Sequence, residues 1–78
     1  MIKNIKFKKN GTADVTCSSD ITGNITTKNI KITEQQYTSW KEESVLIQNA
    51  VPHLSIDDRE FLISGITNKE WNIFIKDK

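Results

Sequence analysis

PHLSIDDREFLISGITNKEWNIFI, residues 52–75, carries a helix start, a helix stop and a second helix start in one short run. Ser55 reads as an N-cap, and Asp57 and Asp58 in the first turn suit the positive end of the helix dipole. Phe61 and Leu62 face inward with Ile63 or Ile66, and Leu54 packs before the cap on the core or on the stems of Arg59 and Glu60. Gly65 ends the helix in the left-handed conformation, with Ile66 as the apolar contact that accompanies such a stop. Thr67-Asn68-Lys69-Glu70 is a capping box and opens a last helix with Trp71, Phe74 and Ile75 on one stripe. The density of distinctive residues is therefore mostly folding grammar.

Upstream, Pro52 closes an earlier helical pattern and pushes Val51 out of the helical region. Thr33-Glu34-Gln35-Gln36 is another capping box, followed by Tyr37, Trp40, Ile47 and Val51 near helical spacing. The polar run Lys41-Glu42-Glu43-Ser44 leaves two readings, one helix to Asn49 or a break near Ser44. Before Thr33 the period is two. Ile5 and Phe7 alternate with lysines, Asn10-Gly11 signals a hairpin, and Ala13, Val15 and Cys17 alternate with polar residues. Residues 24–32 form a third strand ending on Ile30 and Ile32, with a kink or bulge near Lys28-Asn29.

These readings predict an α+β fold. A three-stranded antiparallel β-meander is followed by two or three short α-helices packed on one face. Residues 1–32 are the sheet half and 33–78 the helical half of one domain. The expected core is Phe7, Val15, Ile30, Ile32, Tyr37, Trp40, Ile47, Phe61, Leu62, Trp71 and Phe74, with Cys17 a small buried strand residue.

Seventy-eight residues leave little stability to spare and little room for a deep cleft. Hydrophobic content of 36% and a mean hydropathy of −0.49 are polar for a globular domain, but the apolar residues are patterned. Residues 1–31 hold six lysines against Asp14 and Asp20, a net +4; residues 32–78 hold five basic against eight acidic residues, a net −3. Such a split solvates two layers, or offers a basic sheet face to a polyanion and an acidic helical face to a basic partner. One cysteine excludes an internal disulfide framework and suits a reducing compartment. No signal peptide or membrane-spanning run is expected.

No residue set carries catalytic chemistry, so the chain is not expected to be an enzyme, and no cofactor or metal site is expected. His53 lacks partner ligands at metal spacing, and the Asp57-Asp58-Glu60 cluster lacks the alternating oxygens and glycine turn of a calcium loop. His53 reads instead as a structural hydrogen-bonder, and the carboxylates as dipole partners with an Arg59 pair. Ser18 and Ser19 have no base nearby, and the glycines form no phosphate loop. Trp40, His53, Arg59 and Trp71 remain as candidate binding residues, the tryptophans because Trp is enriched at interface hot spots.

Residues 52–55, 58–62, 64–67 and 70–71, with Leu46 to Ala50 before them, resemble a group of small phage and mobile-element proteins that share the pattern PHLSxxDREFLxSGxTxxEW. The resemblance is clearest over residues 30–75 and carries over no functional residues. It implies a phage or plasmid product in the cytoplasm of the bacterial host cell, or one associated with the virion. By analogy, small accessory proteins of this kind bind a host or phage protein, as inhibitors or anti-defence factors do. Two alternatives stand beside that expectation: a nucleic-acid binder using the lysine-bearing strands, and a homo-oligomeric virion or scaffold component pairing through an exposed edge strand.

Overall fold

Alternating residues build the sheet. A computed structural model, describing residues 2–76, has strands β1 (Ile2–Phe7), β2 (Ala13–Ser18) and β3 (Ile25–Ile30). They form an antiparallel sheet in the order β1-β2-β3. On β2, Ala13, Val15 and Cys17 are fully buried while Asp14, Thr16 and Ser18 turn to the other face. Burial pushes the Cys17 thiol up from its ordinary value, as expected of a packing residue. In the first hairpin Gly11 takes φ +83°, and the Asn10 side chain accepts from the Thr12 N–H and hydroxyl.

The third strand is shorter than its expected span, and Ile32 lies beyond it yet is fully buried. No kink occurs at Lys28-Asn29: pairing with β2 is unbroken from Ala13↔Ile30 to Ser18↔Ile25. The irregularity lies on β1 instead, between Ile2 and Asn4. The outer sheet face is polar. Asp14 accepts from the Asn29 amide and pairs with Lys8 at 3.2 Å, which holds its carboxyl below the ordinary 3.8.

The helical segments are α1 (Glu34–Lys41), α2 (Ile47–Ala50), α3 (Ile56–Ser64) and α4 (Asn68–Glu70), the last continuing into a π-helical segment, Trp71–Lys76. The capping signals are realised at Thr33, Ser55 and Thr67. The break near Ser44 is real: Ser44 takes φ +61°, and α2 starts afresh from Leu46. A polar run with nothing apolar to bury gains little by staying helical, whereas the turn returns Ile47 and Val51 to the core.

Ala13, Val15, Cys17, Ile30, Ile32, Val51, Leu54, Phe61 and Leu62 form that core, with Phe7, Tyr37, Trp40 and Ile47 packed at its margin. Phe7, Tyr37 and Trp40 are linked by edge-to-face ring contacts, at centroid distances of 5.8 and 6.1 Å. Trp71 and Phe74 do not join the core, being 38% and 48% exposed. After α4 the winding loosens from 3.6 residues per turn, so an α-helical stripe no longer describes which residues share a face. The Ile75 side chain lies outside the described part of the structure.

Gly65 ends α3 with φ +73°, and its N–H donates to the Phe61 carbonyl. A β-carbon here would lie 2.1 Å from the Ser18 carbonyl oxygen, so both conformation and space demand glycine. Replacement of Gly65 by Ala is expected to destabilise the protein by about 2–4 kcal/mol, combining left-handed strain with a backbone clash. Gly23→Ala, with φ +77° and nothing within 4 Å of the added carbon, should cost only about 1–2 kcal/mol. Urea midpoints of the two variants, compared at equal slope, check the order.

Candidate functional site

Helix geometry decides what α3 shows to solvent. At about 100° per residue, Phe61, Asp58 and Leu62 share one face while Ile56, Glu60, Ile63 and Arg59 share the opposite one. Phe61 and Leu62 are buried against the sheet. Asp58 follows them and meets Lys28, which lies on the inner face of β3 because its neighbour across the ladder is the buried Val15. Their charged atoms are 2.7 Å apart, and the Lys28 ammonium also stands 5.8 Å from the centre of the Phe61 ring. Asp58 is therefore paired across the layers, not with its neighbour Arg59. The Arg59 Nε is buried without a hydrogen-bond partner.

The outward face carries exposed apolar side chains beside Arg59 and Glu60, with Ile56 78% and Ile63 52% exposed. Two hollows adjoin it. One lies towards α2 and is lined by Ile47, Ile56, Arg59, Glu60 and Ile63. The other is a cleft of about 390 Å³ between the start of α3 and the start of α4, with Ile56, Ile66 and Trp71 as apolar lining and Asp57 and Glu60 as carboxylates. Ile56 and Glu60 belong to both, so the surface is continuous.

The far wall of the cleft is held by Glu70. Its backbone N–H donates to the Thr67 hydroxyl, and its carboxylate accepts from the Thr67 N–H at 3.1 Å, completing the capping box. The same carboxylate accepts from the Thr22 hydroxyl in the turn between β2 and β3. Ser19 of that turn also hydrogen-bonds it, and together these contacts, Thr22 first, hold the Glu70 carboxyl below its ordinary 4.5. One buried side chain thus both starts α4 and anchors it to the sheet.

The four expected binding residues separate. Trp71 lines the cleft and Arg59 the adjoining hollow, so both border the outer face of α3. Trp40 is half-buried in the aromatic cluster, with the Lys41 ammonium 4.3 Å over its ring. The exposed His53 donates from Nε2 to the Lys31 carbonyl at 2.6 Å, a structural tie between two loops. Of the two residues expected to face inward with Phe61 and Leu62, Ile66 is buried and Ile63 is 52% exposed, and Ile56 was missed as a surface residue. The signal was present: Ile56 and Ile63 are seven apart, two full turns, on the side of α3 away from Phe61 and Leu62.

Among the described residues no three His, Cys, Asp or Glu side chains are grouped so as to hold a metal ion. Among the described residues no helix is long and apolar enough to cross a membrane. No protein-family model matches the chain, and neither curated proteins nor solved structures yield a significant match.

The lowered Glu70 pKa has a definite sign. The unfolded carboxyl takes up its proton near 4.5, and the folded one only at lower pH. The stabilisation is therefore complete above the ordinary value and is lost as pH falls through the folded one. Glu70→Gln should retain a capping box yet lose that contribution. Its stability, followed by thermal melting from neutral pH downward, should fall less steeply than that of the parent below the ordinary value, with Asp14 supplying the residual slope.

Proposed function

We propose that this protein is a non-enzymatic accessory protein of a phage or other mobile element that acts by binding a host or phage protein, as an inhibitor or anti-defence factor would. The exposed apolar side chains of α3 and the cleft at the start of α4 carry this reading. Ile56 and Ile63 are exposed on α3 beside Arg59 and Glu60, Trp71 is exposed at the cleft, and exposed apolar clusters rimmed by polar residues mark interaction sites. Acidic residues at its border, and the net −3 of residues 32–78, favour a basic surface on that partner. The biological setting rests on the resemblance of residues 52–71 to small phage and mobile-element proteins.

The nucleic-acid alternative draws less support. Phe7, the aromatic of the lysine-bearing strands, packs against Tyr37, while Lys8 and Lys28 are engaged by Asp14 and Asp58. A stacking platform of bases and aromatics has no counterpart on the polar outer face of the sheet.

Tagged protein titrated against host lysate should capture one saturable partner. Ile63→Asp, an exposed change, should weaken that capture at least about tenfold, as loss of an interface anchor does. Lys6→Glu on the sheet should leave it unaltered. A partner indifferent to Ile63→Asp, or no saturable partner, would overturn the reading.

A further inference from the structure

We infer that the cleft between α3 and α4 is a socket for one arginine side chain of the bound protein. The inference rests on the protein-binding reading and names the chemistry that the cleft selects. Its lining combines two carboxylates with three large apolar side chains and contains no cationic residue. Arginine has the matching shape, an aliphatic stem to lie along Ile56 and Ile66 and a planar head that accepts paired carboxylates and an aromatic neighbour. The space, about 390 Å³ including its open mouth, suits a side chain better than a folded element.

The two carboxylates are not equally committed. The Asp57 carboxylate makes no hydrogen bond or ion pair among the described residues, whereas that of its neighbour Asp58 is held by Lys28. Glu60 accepts from the Ser64 hydroxyl through Oε2 at 2.8 Å, which steadies the carboxylate without neutralising it. The start of α3 opposes a cation, since its dipole end is equivalent to roughly half a positive charge. Ser55 already accepts from the Asp58 N–H, and two full negative charges outweigh the remainder. Arg59 faces the hollow on the other side of Ile56, and Lys69 lies beside Asn68 without lining the cleft.

The probe is the peptide acetyl-Leu-Arg-Leu-amide, with the citrulline peptide as a neutral control of nearly the same shape. Titrations at low salt are followed by backbone amide resonances and the Trp71 indole N–H. The arginine peptide should shift the Asp57, Asn68 and Trp71 signals saturably and bind at least tenfold more tightly than the citrulline peptide. Asp57→Asn and Glu60→Gln, each alone, should shrink that preference while the spectrum stays folded. Equal affinity for the two peptides, shifts mapping elsewhere, or no shift with either would overturn the socket. Capture of a partner sensitive to Ile63→Asp could still succeed in those cases, so the two readings fail separately. Self-association through this face would appear as concentration-dependent shifts without peptide, and would overturn the socket in favour of a second copy as occupant.

Discussion

The backbone of Gly65 rests against the Ser18 carbonyl so closely that no side chain fits between them. The end of α3 takes its position from this contact. The Asp20 N–H donates to the Ser64 carbonyl beside it, so the end of α3 is pinned to the end of β2 by packing and by a hydrogen bond. The left-handed turn at Gly65 then sends the chain back alongside α3, and Thr67 and Glu70 start the next helix within a few residues. Glu70 reaches the Ser19–Thr22 turn, giving the reversal a second anchor on the same part of the sheet. The α3–α4 cleft is the space this reversal leaves.

A sheet of three strands has a small inner face, and it is filled before the chain ends. Phe61 and Leu62 from α3, Val51 and Leu54 before it, and the Phe7–Tyr37–Trp40 cluster at the margin occupy it. Lys28 takes one inward position on β3, where a hydrophobic residue would be usual, and Asp58 answers it. Both partners remain partly solvated, so the pair orients α3 more than it stabilises the fold. With the inner face occupied, Ile56, Ile63, Trp71 and Phe74 stay exposed among the described residues.

That surplus of apolar surface links the fold to its proposed use. Burying that surface would add stability, and its exposure around two carboxylates is the feature on which the proposed partner binding rests. The polar outer face of the sheet is different in kind. On it Lys8 and Asn29 engage Asp14, and Thr16 engages Thr27.

Much of the architecture was legible because it is written in local chemistry. Thr33, Ser55, Thr67 and Gly65 act within their own turns, and the period-two pattern of Ala13, Val15 and Cys17 needs only the pleat of a strand. The candidate site was legible only as residue types. Trp71 and Arg59 stood out and border the α3 hollows, while Trp40 and His53 stood out equally and sit in the aromatic cluster and against the Lys31 carbonyl. The helix period alone separates Ile56 and Ile63 from Phe61 and Leu62, yet not which pair meets the sheet. By itself the sequence determined the caps, the stops, the strand alternation and the meander, since each depends on neighbours a few residues away. Only the tertiary structure decided which face of α3 is buried, that Asp58 meets Lys28, and that Trp71 lines a cleft and not the core. Those outcomes depend on how much inner sheet surface remains once distant segments have packed, and no local pattern records that.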